Sequence, residues 1–171
     1  MTDARGKALA PLLEASALPG WCYGSERFFA WELAQIHRRN WIFAGRGDEL
    51  ATPGDFQAID TAGGPVILLC DRDGALRAFA NCCRHRGSLL LTGTGNAQSI
   101  VCPYHAWSYR LDGALLAAPA MARKPGFDKT AHALAAVRME TWQGFIFINF
   151  DSSAPPLLEH LGNLPDLLGS Y

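Results

Sequence analysis

The sequence predicts a mainly β fold, an antiparallel β-sandwich preceded by a helical arm. Three observations lead there. Short apolar or alternating runs, WIFAG (41–45), DFQAID (55–60) and VILLC (66–70), are separated by glycine and proline, as strands and turns are. Asp-Gly stands twice between apolar runs, in VILLCDRDGALRAFA (66–80) and WSYRLDGALLAA (107–118), which signals β-hairpins. Ahead of the strands, SERFFAWELAQIHRRN (25–40) has helical periodicity instead.

In chain order, the arm comes first. Ser25 can cap a free amide, Glu26 suits the positive end of the helix dipole, and His37, Arg38 and Arg39 suit the negative end. Phe29, Leu33 and Ile36 recur on one face. Strands and hairpins follow to residue 118. APAMARKPGFDKTAH (118–132), with two prolines, reads as irregular. LAAVRMETW (134–142) and GFIFINF (144–150) predict a last strand pair around Gln143-Gly144, and SSAPPLLEH (152–160) an extended exit. The division expected is a helical arm over 1–40, a β domain over 41–150, and an exit segment over 151–171.

At 171 residues, 49% hydrophobic and 18% charged with formal net charge −1, the chain is long enough to bury a core without disulfides. That balance leaves no electrostatic footprint for nucleic acid or an anionic membrane. The first twenty residues lack an uninterrupted apolar core, so no secretory signal is read, and the apolar runs are of strand length. Five cysteines, an odd count, argue against a disulfide framework; a reducing, cytoplasmic setting is expected. Cys22 and Cys70 read as inert packing thiols.

The informative stretch is CRHRGSLLLTGTGNAQSIVCPYH (83–105). It places Cys83-x-His85 and Cys102-x-x-His105 on loops between strands. Structural zinc takes four tetrahedral ligands, commonly with Cys-x-x-Cys knuckles, and neither pair has that spacing. A [2Fe–2S] centre of Rieske type, with two cysteines on one iron and two histidines on the other, explains why each loop carries one of each. Cys83 and Cys102 would bind the inner iron, His85 and His105 the outer one. Gly87, Gly93 and Gly95 would let the loops fold over the cluster.

CRHRG, GN (95–96) and CPYH in this order, with LPGW (18–21), AFANCCRHRG, CPYHAWSYRLDG and ETWQGFIFINF around them, resemble the N-terminal part of ring-hydroxylating oxygenase α subunits, over residues 18–171. Two departures stand out: Ala106 replaces the expected glycine, and Cys82 adds a thiol that strand alternation would bury away from the cluster. The resemblance implies cluster-binding loops over 81–109 and electron relay from a reductase or ferredoxin to a mononuclear iron. It also implies a catalytic domain of the same or a neighbouring subunit, and homotrimers in many members. The mononuclear site's motif, resembling Asp-x-x-His-x-x-x-x-His, is absent here, so this chain would only transfer electrons, with no catalytic residues of its own. His37, His132 and His160 read as a helix-end, a loop and an exit residue. Ser88 and Tyr104 stand where respiratory Rieske proteins carry disulfide cysteines, and Trp107 where they carry a sulfur-bonding serine. A potential near the low end of the range of roughly −150 to +300 mV is therefore expected. Arg84 and Arg86 are candidates for steering an acidic electron donor. Two other readings stay open at this point, a free-standing Rieske ferredoxin and a zinc-stabilised binding module.

Overall fold

The computed structural model describes residues 16–121 and 123–168. The leader reading and the first part of the arm, residues 1–15, lie outside them.

Among the described residues ten strands form three antiparallel sheets: β1 (Ile42–Arg46), β10 (Phe145–Asn149) and β9 (Arg138–Trp142) in the first; β4 (Leu76–Ala80), β3 (Gly64–Cys70), β2 (Asp55–Thr61) and β5 (Thr94–Asn96) in the second; β6 (Ile100–Val101), β7 (Ser108–Tyr109) and β8 (Leu115–Ala117) in the third. β3 explains the stacking. Val66, Ile67, Leu68, Leu69 and Cys70 are all at most 2% exposed, so this strand is covered on both faces and reads as a continuous apolar run. Its side chains alternate between two cores. Ile67 and Leu69 join Phe79, Ile100, Trp107, Tyr109 and Leu115 beneath the third sheet, while Val66, Leu68 and Cys70 join Val137, Ile146 and Ile148 of the first. At roughly 2 kcal/mol per fully buried aliphatic side chain, β3 is the main apolar support of the fold.

The hairpins form where Asp-Gly predicts them, but as three-residue loops. Gly113 N donates to Arg110 O (3.0 Å) and Arg110 N to Ala114 O (2.9 Å), with Gly113 left-handed at φ +86°. This is a type I turn followed by a left-handed residue, and the Asp71–Ala75 turn repeats its hydrogen bonds. The last pair is tighter. Gln143 and Gly144, at φ +50° and +78°, join Trp142 directly to its partner Phe145.

Two elements differ from expectation. The arm is an α-helix only over α1 (Glu26–Glu32), capped by Ser25 Oγ accepting from Phe28 N (3.2 Å), and continues as a π turn over Leu33–His37. Its periodic face is not core: Phe29 is 54% and Ile36 43% exposed. Periodicity marks a face that can be covered; it does not say by what. The exit segment is not extended throughout, because two short helices follow Pro156, α2 (Leu157–Leu161) and α3 (Leu164–Leu168). Prolines are tolerated before and in the first turn of a helix, and the leucines beyond them favour helix. Glu140 Oε2 accepts from Leu157 N (2.8 Å), and Trp41 Nε1 donates to Pro155 O (2.9 Å), which ties the exit to the first sheet.

Candidate metal centre

The loop after β4 and the loop between β6 and β7 are built alike. Cys83 N donates to Ser88 O (2.8 Å) and Gly87 N to Cys83 O (2.9 Å); in the second loop Cys102 N donates to Trp107 O (2.8 Å) and Ala106 N to Cys102 O (3.1 Å). Each loop thus folds back over its own cysteine through a left-handed residue at the same place, Gly87 at φ +73° and Ala106 at φ +56°. That position is why a glycine was expected where Ala106 stands.

The two loops bring together the four side chains that the sequence singled out. Cys83 and Cys102 are 2% and 3% exposed, lie in the same buried cluster, and are unpaired by any disulfide. The His85 and His105 rings lie edge to face with centroids 4.8 Å apart, nearer the surface. His105 Nδ1 is buried without a hydrogen-bond partner, the situation of an atom meant to ligate. Among the described residues no three His, Cys, Asp or Glu side chains converge on one ion. A single structural zinc asks for four such donors, whereas a two-iron cluster bridged by sulfides asks for two per iron. The donor set and the orphaned nitrogen fit the cluster.

Electrostatics favour the ligating forms. Burial, the largest influence on Cys102, raises its thiol pKa, but amides of Tyr104 and His105 with the Cys83 and Ser88 side chains outweigh it and hold the thiol below its ordinary value. Burial first, then His105 and Arg86, keep His85 below the usual imidazole pKa and favour its neutral ring.

Two residues at the centre, Tyr109 and Asn81, escape the sequence reading, which does single out Trp107 and Tyr104. Tyr109, fully buried, has its hydroxyl 3.2 Å from Cys83 Sγ and accepts from Arg84 N at 3.0 Å. That acceptance leaves its own proton free for the sulfur, and burial followed by the Cys83 hydrogen bond pushes its pKa far up, so the phenol stays a donor. Asn81, 3% exposed, staples the first loop: Oδ1 accepts from Leu90 N and Leu91 N (3.0 Å each) and Nδ2 donates to Leu91 O (2.7 Å). Trp107 stacks on His85 at 4.7 Å and 7°, and Tyr104, 62% exposed, stacks on His105 at 3.8 Å. Nothing in the local sequence marks Asn81 or Tyr109, because their partners become neighbours only when the loops close.

Other expectations need correcting. Cys82 is exposed rather than buried. Strand β4 ends at Ala80, and a tight turn with Cys82 N donating to Ala80 O (2.8 Å) breaks the alternation. His132 is not a free loop residue, since its ring lies 5.6 Å from Trp107. Gly93 is left-handed at φ +66°, whereas Gly95 makes room for Phe56, whose ring an added Cβ would meet at 3.1 Å. Cys22 and Cys70 are buried as expected, and burial raises the Cys70 pKa.

Comparison with known proteins bears on the same residues. The family model described as Rieske [2Fe-2S] domain matches residues 40–139. The carnitine monooxygenase oxygenase subunit of Escherichia coli strain K12 is 37% identical over 152 residues, which cover 88% of this chain and 41% of that protein. The large oxygenase component of the naphthalene 1,2-dioxygenase system of Pseudomonas putida is 38% identical over 145 residues, covering 82% and 32%. Among solved structures, the apo form of the quaternary ammonium Rieske monooxygenase CntA superposes with a TM-score of 0.87 at 36% identity, over 91% of this chain and 46% of that one. The chain therefore spans less than half the length of these relatives. Two loops of matching construction, two cysteines and two histidines at their tips, and a family match across both loops lead to one conclusion: the chain belongs to the Rieske [2Fe-2S] domain family.

Proposed function

We propose that Cys83 and Cys102 hold one iron of the cluster and His85 and His105 the other, and that the chain is the electron-relay domain of a Rieske non-haem iron oxygenase. The observation that carries the assignment is the buried, unpartnered His105 Nδ1 beside His85, with Cys83 and Cys102 buried in one cluster on the same two loops. The cluster, when bound, supplies a one-electron carrier. The protein's part is to hold and tune it: Tyr109 donates to Cys83 Sγ, Trp107 and Tyr104 cover the imidazole faces, and the histidine side faces outward. The domain proposed is 41–150, with the exit segment leading toward the catalytic domain that the relatives' greater length provides.

The electron donor would be a reductase or ferredoxin with an acidic face. From Ala75 to Leu111 the sequence has four arginines and no aspartate or glutamate; Arg77 and Arg110 pair with Asp71 and Asp112, which leaves Arg84 and Arg86 as the charges a donor would meet. Arg84 and Arg86 are exposed beside His85. A solved structure of a quaternary ammonium Rieske monooxygenase is described as giving insight into inter-subunit electron transfer. That supports a neighbouring subunit as the acceptor here; a homotrimer is the assembly proposed from the family resemblance. Unpaired cysteines support a reducing, cytoplasmic setting, and no described helix is long and apolar enough to cross a membrane. Both quaternary amines and aromatic rings remain open as substrate classes, since the named relatives include both.

Single substitutions test the ligands. His105→Ala and Cys102→Ser should each abolish the cluster's visible absorption in the purified chain. A variant that keeps the wild-type spectrum and iron content would refute that residue's assignment.

A further inference from the structure

Trp107 lies parallel on His85, at 4.7 Å and 7°. Against it, edge to face, come the rings of Phe127 at 5.7 Å and 74° and His132 at 5.6 Å and 69°. Phe127 and His132 also contact each other, 4.8 Å apart. Both belong to the irregular stretch after β8, which contributes no ligand under the proposed function. Trp107 is 2% exposed, so its ring has no solvent side into which to swing.

His132 is itself fixed. Its Nδ1 lies 2.8 Å from Asp128 O, and because a carbonyl only accepts, that nitrogen carries the proton. Its amide donates to Lys129 O at 3.1 Å, within a short 3₁₀ turn over Thr130–His132. The Asp128 carboxylate closes the same turn by accepting from Thr130 N (2.8 Å) and Thr130 Oγ1 (2.7 Å). A solvated loop histidine needs none of this. A ring pinned at one nitrogen and pressed on a buried tryptophan is held for its shape and direction.

We propose that His132 is a positioning residue for the centre: by packing against Trp107 together with Phe127, it sets the plane of the His85 ring. A side chain stacked on a metal-ligating imidazole fixes ring orientation as a hydrogen bond to the far nitrogen would, and ring orientation governs how the nitrogen meets the metal. His132 acts two rings away and is not a ligand. This inference rests on the ligand assignment proposed above.

The test uses the purified, cluster-loaded chain. With ¹⁵N-labelled histidine, pulsed EPR after dithionite reduction reads the hyperfine couplings of the two ligand nitrogens separately, and redox titration reads the midpoint potential. His132→Ala should alter one of the two couplings, shift the g-values and move the midpoint. His132→Phe, which restores a flat ring against Trp107, should return all three toward wild type. His132→Leu fills the space without a plane and should behave as the alanine variant, which keeps the test alive if the latter fails to load. Unchanged couplings, g-values and midpoint in the loaded Ala or Leu variant, however low their melting temperature, would overturn the proposal and leave His132 a stabilising residue only. Wild-type protein without a two-histidine signal would instead bring down the ligand assignment and this inference with it.

Discussion

Tyr109 and Ala106 carry two of the account's sharpest single-residue consequences. The expectation of a low potential counted no side-chain hydrogen bond to sulfur, yet the Tyr109 hydroxyl makes one to Cys83 Sγ. A hydrogen bond to sulfur favours the reduced, more negative state, so Tyr109→Phe should lower the midpoint. A differential of about 1 kcal/mol corresponds to about 40 mV for one electron. Redox titration of the loaded variant checks it. Ala106 sits at φ +56°, where a side chain costs about 1–2 kcal/mol and glycine costs little beyond its greater freedom in the unfolded chain. Ala106→Gly should therefore stabilise the protein by about 0.5–1 kcal/mol, read as a higher urea midpoint. The ligand candidates were legible because metal chemistry restricts them to few residue types at few spacings. Tyr109, Asn81 and His132 were not: an ordinary tyrosine, asparagine or histidine acquires its role from neighbours that only tertiary folding supplies.

The hairpins show what an element adds to its residues. Asp71 is 2% exposed, and its carboxylate accepts from Asp73 N (2.8 Å), Ala75 N (3.1 Å) and the Arg77 guanidinium, closing the β3–β4 turn. Burial alone would raise its pKa, but Arg77 and the two amides together outweigh burial and hold the carboxyl below its ordinary value. A depressed folded-state pKa contributes stability above the unfolded value of about 3.9, lost as pH falls through the folded value. Asp71→Asn should thus flatten part of the acid side of the stability profile below about pH 4, measured by denaturant melts across pH. Asp71→Ala, which leaves two turn amides without their acceptor and releases the partly exposed Arg77 guanidinium to water, should cost about 2 kcal/mol at neutral pH. Gly113 adds a packing demand, because a Cβ there would come within 2.5 Å of the Phe79 ring, in the core beneath the centre. Asp-Gly announced both turns in the sequence. It could not announce that the turn residues also bear on the core, since that depends on which sheet lies against which. The arm was the reverse case: its periodicity was plain, but Phe29 and Ile36 are exposed because the described β domain does not cover them.

Across the whole molecule, the histidine end of the centre is partly exposed and flanked by the exposed Arg84 and Arg86. If that face receives electrons from an acidic protein, reversing Arg84 and Arg86 to glutamate should slow reduction by an acidic ferredoxin about tenfold or more at low salt. The gap should narrow near 0.15 M ionic strength, where the screening length is about 8 Å. Stopped-flow rates against salt read this directly, and equal rates for both proteins would remove the steering role. The central claim is the centre itself, two cysteines and two histidines on a two-iron cluster. Iron and labile-sulfide analysis of the purified chain, with EPR before and after dithionite, tests it most directly. Two irons and two sulfides per chain are expected, with silence when oxidised and, on reduction, a rhombic signal with average g below the free-electron value. Zinc without sulfide, or a reduced signal lacking histidine nitrogen couplings, would contradict it.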